Sequence, residues 1–175
     1  MTTLARGSRR RAPELDRWPP GPEPAGAAVF AHNVRVITAD RADLWRVLVA
    51  AEDWPHWYPN ARQVHVDNGT GQLGPATAFR WRTFGVRVHS QVVVFEPPQH
   101  LGWVLWATGL YGYHGWRLDD HAVGTRAITE ETQRGPRANR LAMPLTVAVT
   151  AGHWLWLAGL AVRVSRTDDP GEPEP

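Results

Sequence analysis

Residues 141–162 read LAMPLTVAVTAGHWLWLAGLAV, an apolar run in which His153 is the only ionisable group. A bilayer span takes about 20 such residues, so length alone permits a crossing. Pro144, Gly152 and His153 within the run argue against one. A helix that is apolar all round is also what a large core buries, and the choice between the two decides the fold. On a helix, Val149, Gly152, His153, Trp156 and Leu160 fall at i, i+3, i+4, i+7 and i+11, on one stripe. If that stripe faces a sheet, His153 and Trp156 line the space between, and Gly152 leaves room for a ligand. The opposite face is then free to pair with a second copy as a homodimer, or to touch a membrane surface without spanning it.

The residues upstream supply the sheet. Val29 to Ile37 alternates apolar positions and reads as a strand. Thr38-Ala-Asp40 has helix N-cap chemistry, and Leu44, Trp45, Leu48 and Val49 make a helical stripe after it. Pro55 and Pro59 bracket a second short helix or turn around Trp54, His56, Trp57 and Tyr58. Strand-like runs follow at about 62–67, 76–84, 85–96, 101–108, 111–118 and 125–133, separated by Gly, Pro and Asp turns. Short connections between successive strands mean antiparallel pairing. The sequence therefore predicts an α+β domain: a curved seven-stranded antiparallel sheet wrapped around a long C-terminal helix, with two short helices after the first strand.

Alternation assigns the faces. Phe79, Trp81 and Thr83 share one face, as do Val86, Val88, Ser90, Val92 and Val94; Arg80 and Arg82 point the other way. Ile128 is the clearest apolar anchor of the last strand, which puts Glu130 and Thr132 on its side and Glu131 outside. A hairpin turning at Asp119-Asp120 then sets His114 opposite Glu130 and Trp116 opposite Ile128. A slip of one residue exchanges Glu130 for Glu131. Arg117 and Arg126 are read as solvated.

Composition closes off several chemistries. The chain has 175 residues and no cysteine, which removes disulfides, thiolate zinc sites and cysteine nucleophiles. All 19 basic residues are Arg, so no lysine serves as base or Schiff-base former. The net charge of +2 demands no polyanion, and the charge is not clustered as nucleic-acid binding requires. Gly69-Thr-Gly71-Gln-Leu-Gly74 spells G-x-G-x-x-G, but Pro75 and a strand pattern follow it where a dinucleotide site needs a helix. No spacing in the sequence suggests a metal site, and no cofactor is implied. Residues 1–28 are rich in Arg, Pro and Gly and read as a disordered leader, of which 1–24 are expected to be dispensable; Arg9-Arg10-Arg11 is not followed by the apolar stretch of an export signal, so the location expected is cytoplasmic. Residues 167–175 read as a disordered acidic tail, leaving 29–166 as the folded domain.

Five motifs in order resemble one superfamily. Ile37-Thr-Ala-Asp-Arg-Ala-Asp-Leu-Trp45, Trp54-Pro-His-Trp57-Tyr-Pro59, Glu96-Pro-Pro-Gln-His-Leu-Gly-Trp103, His114-Gly-Trp116 and Gly124-Thr-Arg-Ala-Ile-Thr-Glu130-Glu131 look like the START-like helix-grip (SRPBCC) proteins. The nearest branch is that of the polyketide cyclases/dehydrases and lipid-transport proteins, and the likeness runs from residue 29 to about 163. It implies a deep apolar cavity, several hundred Å³ in volume, for a hydrophobic small molecule. Two readings follow: a cyclase or dehydratase acting on a polyketide-like or aromatic molecule, or a non-catalytic carrier or sensor of a lipid or hydrophobic metabolite. For the enzyme, His114 and Glu130 are the acid–base candidates, because a buried carboxylate beside an imidazole can be tuned toward neutral pH. Trp81, Ser90, Trp103, Trp116, His153 and Trp156 are the candidates for substrate contact.

Overall fold

The protein is described over residues 12–167 in a computed structural model. The Arg9-Arg10-Arg11 run and all but the first residue of the expected acidic tail lie outside the described residues. Strand β1 (Val29–Ile37) leads into α1 (Arg41–Val49), a single 3₁₀ turn (Ala51–Asp53) and α2 (Trp54–Trp57). Strands β2 (Arg62–Val66), β3 (Ala78–Thr83), β4 (Val86–Glu96), β5 (His100–Ala107), β6 (Leu110–His121) and β7 (Gly124–Arg134) follow. Helices α3 (Pro136–Arg140) and α4 (Ala142–Thr167) complete the chain. The strands form one antiparallel sheet in the order β1-β7-β6-β5-β4-β3-β2, so chain-terminal elements meet at β1 and β7. This is the expected helix-grip architecture. The predicted single helix after β7 is divided, because Leu141 leaves helical geometry between α3 and α4.

Helix α4 lies across the sheet, packed on β1, α1 and α2. Its predicted stripe is the buried one: Val149, His153, Trp156 and Leu160 are all at 2% exposure or less. Length and composition would let α4 cross a membrane, but a third of its most apolar stretch is buried inside the protein. Met143, Val147, Trp154, Leu155 and Val162 remain exposed on its far side. Gly152 has a packing role of its own. A Cβ there would lie 2.7 Å from the Phe84 ring and 3.2 Å from the Tyr58 hydroxyl, so the space expected for a ligand is taken by these two side chains.

The β6–β7 register differs from the expected one by one residue. Strand β6 runs on to His121, opposite Gly124, and the two-residue turn lies later than Asp119-Asp120. His114 therefore pairs with Glu131, Gly115 with Glu130, and Trp116 with Thr129. Because strand side chains alternate, this half-turn shift sends Glu131 to the helix side and Glu130 with Ile128 to the outer side. A register shift between Val92 and Val94 likewise turns Val94 outward, where it packs near Ile128.

Around β6 and β7 the outer face is covered rather than solvated, so a buried apolar Ile128 does not mark the helix side. Residues 12–28, expected to be disordered, lie along it: Leu15 packs with Tyr113 and Ile128 in a second apolar cluster. The Trp18 ring sits 5.1 Å from that of Tyr113. Gly115 makes room, since a Cβ there would fall 2.5 Å from Leu15 Cδ1. Glu130 is fully buried beneath this segment and accepts the Glu14 and Leu15 backbone N–H groups at 2.7 and 3.1 Å. His32 Nδ1 lies 2.6 Å from its carboxylate. Arg117 and Arg126, expected in water, hold the same segment: Arg117 donates to the Glu14 carbonyl at 2.8 Å and Arg126 pairs with the Glu14 carboxylate.

These contacts reverse the expectation that the leader is dispensable. Deleting residues 1–24 strips two donors from a buried carboxylate, a loss of about 1–3 kcal/mol. Thermal denaturation of the truncated protein should show Tm lower by about 3–10 °C for a domain of this size. An unchanged Tm would mean that the segment contributes no stability.

Candidate functional site

The helix side of the sheet carries an aromatic layer. Trp54 is its centre, with ring centroids 5.0 Å from Trp156, 5.5 Å from Trp81, 5.7 Å from Trp103 and 5.9 Å from Phe79. Its indole N–H donates to the Leu48 carbonyl at 3.0 Å, which fixes the ring while burying it completely. Tyr58 stacks on Trp156 at 4.4 Å with an interplanar angle of 14°. Pairs at such separations each add about 0.5–1.5 kcal/mol beyond the area they bury. The rings therefore fill much of the space expected to be open.

A cavity of about 120 Å³ remains at one end of the layer. It is lined by Tyr58, Trp81, Glu131, Gln133, His153 and Trp156, with Phe84, Leu110 and Leu145 among the other lining residues. That volume is several times below the expected several hundred Å³. Trp103 and Trp116 stand behind the lining, in the aromatic layer. Ser90 is also outside it, accepting the Trp81 indole N–H at 3.2 Å. Of the six side chains expected to touch substrate, Trp81, His153 and Trp156 reach the cavity.

Glu131, not Glu130, is the carboxylate at this end. Strand β6 contributes His114, β7 contributes Glu131, and α4 contributes His153. His114 Nδ1 and His153 Nε2 lie 3.4 and 3.3 Å from the same carboxylate oxygen, Glu131 Oε2. The two imidazoles stack with centroids 4.7 Å apart, and His114 sits between Trp103 and Trp156 at 4.7 and 5.1 Å. Gln133 donates to Glu131 Oε1 at 2.5 Å, and Thr129 Oγ1 lies 2.8 Å from His114 Nε2. Residues 129, 131 and 133 share one face of β7, so a single strand supplies the carboxylate and the partners that orient it and His114.

Burial, and secondarily the neighbouring His153, hold the His114 imidazole well below the usual 6.5, so it is neutral near pH 7. Burial pushes the Tyr58 phenol up to about 12, keeping its hydroxyl protonated as a donor. The site thus offers a carboxylate, a neutral imidazole and a phenol around an apolar hollow. Glu131, Tyr58 and Gln133 were not singled out as site residues from the sequence. Tyr58 had a cue in its position between Trp57 and Pro59, whereas Glu131 depended on the register.

The depressed His114 value has a consequence for stability. Below pH 6.5 the unfolded chain takes up a proton at this residue while the folded chain does not, so stability falls as pH drops. The slope from this group is at most about 1.4 kcal/mol per pH unit. Melting curves at pH 7.5 and 5.5 should show a smaller acid destabilisation for His114→Gln than for wild type. Equal acid sensitivity would mean His114 is charged in the folded protein.

A curved antiparallel sheet gripping a C-terminal helix defines a helix-grip protein. The chain belongs to the polyketide cyclase/dehydrase and lipid-transport family, which it matches over residues 30–154. Among solved structures, a hypothetical protein of Helicobacter pylori is 27% identical with a TM-score of 0.80, covering 89% of this chain and 99% of its own. The Zhui aromatase/cyclase from a Streptomyces species is 13% identical with a TM-score of 0.67, covering 81% and 96%. A protein of the dynemicin biosynthetic locus is 18% identical with a TM-score of 0.57, covering 81% of this chain and 48% of its own. No curated relative matches the sequence significantly.

Proposed function

We propose that the protein is a cyclase- or dehydratase-like enzyme that takes one end of a hydrophobic, polyketide-like or aromatic molecule into the cavity and moves protons on it. The observation that supports this most is the convergence of His114, Glu131 and His153 at the base of an otherwise apolar hollow. A carboxylate aimed into such a space removes a proton next to a carbonyl, and a donor must then meet the oxygen where negative charge collects. Glu131 fits the first role. The Tyr58 hydroxyl, on the same cavity and held protonated, fits the second. Most of the lining is apolar, a setting in which both interactions are stronger than in bulk water. The aromatic walls, Trp81 and Trp156, hold the reacting carbons in place by stacking and supply most of the binding. Membership of a family that includes cyclases, and fold likeness to an aromatase/cyclase, agree with this reading.

A cavity of 120 Å³ narrows the substrate. A ring-sized end group enters to the polar base, and the rest of the molecule lies toward Phe84, Leu110 and Leu145. A carrier would use the same hollow without chemistry, and its family also includes lipid transport.

Turnover and binding measured together on a panel of polyketide-like ketones separate the two. Glu131→Gln should lower turnover about 10²- to 10⁴-fold, the range for one positioned proton-transfer group, with a far smaller change in ligand affinity. Glu130→Gln, on the other face, should lower Tm and leave turnover near wild type at temperatures where it stays folded. Binding without product from wild type, with Glu131→Gln changing affinity alone, would establish the carrier instead.

A further inference from the structure

His114, Glu131 and His153 present three metal-ligating atoms within 4.8 Å of one another, the one such group among the described residues. All three side chains are buried. We infer that this cluster binds a single divalent transition-metal ion of the zinc type through His114 Nδ1, His153 Nε2 and Glu131 Oε2, with its remaining coordination position open to the cavity. The inference concerns the cluster used in the reading above but rests on geometry alone, and with the ion bound Glu131 serves as its ligand in place of the proton acceptor.

Distances come first. Zinc sits about 2.0–2.1 Å from imidazole nitrogen and about 2.0–2.2 Å from carboxylate oxygen, so neighbouring ligand atoms in a tetrahedral shell lie about 3.3 Å apart. The two nitrogen–oxygen separations are 3.4 and 3.3 Å. That is long for a charge-assisted hydrogen bond, which shortens to about 2.7–2.9 Å, and it matches two edges of a coordination tetrahedron. The third edge, between the two imidazole nitrogens, is at most 4.8 Å, and binding an ion would draw the rings together to about 3.3 Å.

Electron-pair bookkeeping points the same way. His114 Nδ1 is buried and makes no hydrogen bond, although Glu131 Oε2 is the polar atom it faces. His114 Nε2 lies 2.8 Å from Thr129 Oγ1, and in the tautomer that carries its proton on Nε2 the ring donates there and Nδ1 presents a lone pair toward a carboxylate. Two acceptors facing each other out of water repel, and a cation between them removes the conflict. Two of the three ligands have the outer partners that metal ligands need: Thr129 Oγ1 bonds His114 Nε2, and Gln133 occupies Glu131 Oε1 so that Oε2 is left for the ion, while His153 Nδ1 is buried without a hydrogen bond. Two histidines and one carboxylate with an open fourth position is the ligand count of a catalytic rather than a structural zinc site. Glu131 and His153 line the cavity, so the open position faces a ligand's carbonyl or a water.

The test uses the full chain, freed of metal by chelation and titrated with Zn²⁺ and Co²⁺. One ion per chain should bind, and Co²⁺ should give the visible absorption of a four-coordinate N/O site. Both should disappear in Glu131→Gln and His153→Ala, with folding checked by circular dichroism. Thr129→Val and Gln133→Leu, which remove only the outer partners, should weaken binding about 10- to 100-fold. The exposed His89→Gln should bind as wild type does. Failure to bind one ion, or binding unchanged by Glu131→Gln and His153→Ala, overturns the inference. Turnover by the chelated protein with no such binding would overturn it and leave the acid–base reading standing. Stoichiometric binding without turnover on any substrate would do the reverse.

Discussion

The pairing of β6 with β7 decides what this protein can do. His114 opposite Glu131 sets an imidazole and a carboxylate side by side on the helix face, and every second residue along both strands follows. One residue of slip would bring Glu130 inward and bury Glu131 under the N-terminal segment, dissolving the cluster with His153. Such a register cannot be held by one hairpin turn. It is held on both faces: Trp116 and Leu118 are locked into the aromatic core on one, while Tyr113 and Ile128 are clasped by Leu15 on the other. A sheet buried on both sides has no face onto which a slipped strand could turn its polar residues cheaply.

The second constraint is the aromatic layer. Six of the ten tryptophans, Trp45, Trp54, Trp81, Trp103, Trp116 and Trp156, are buried between the sheet and the helices. They fill much of the interior and leave the small hollow beside Val149 and His153 of α4. Trp54, Phe79, Trp81, Trp103, Trp116 and Trp156 pack mostly edge-to-face or tilted, arrangements with little room to rearrange. A close-packed wall holds the polar cluster in a narrow range of geometry, as proton transfer or metal binding both require.

The fold was legible in the sequence because strand alternation, helix stripes and turn residues agree with one another along the whole domain. The site was legible in part. His114 and His153 could be placed because Trp116 lies two residues on along β6 and Trp156 one turn on along α4. Glu131 could not, because the argument from Ile128 assumed a sheet with one buried face. Cues to the second buried face were present in the sequence. Leu15 and Trp18 are apolar residues in an otherwise polar leader, and Gly102 and Gly115 interrupt strand interiors where glycine marks a close approach. Volume escaped for a different reason: counting tryptophans does not say whether they line a cavity or fill it.

Burying Glu131 with two imidazoles is a costly way to fill space. A carboxylate taken out of water loses several kcal/mol, and its attraction to partners repays this only when the geometry is close and every lone pair is satisfied. Here the geometry is loose, with separations of 3.3 and 3.4 Å and His114 Nδ1 unbonded. Contrast Glu130, more deeply buried, which receives two backbone donors and lies 2.6 Å from His32. The two adjacent carboxylates of β7 thus solve the same desolvation problem in opposite ways. Glu130 is satisfied within the chain and fastens the N-terminal segment. Glu131 accepts from Gln133 at Oε1 but has only the long His153 hydrogen bond at Oε2, where the cavity ends, and that oxygen keeps a lone pair for whatever enters: a ligand's proton or a cation.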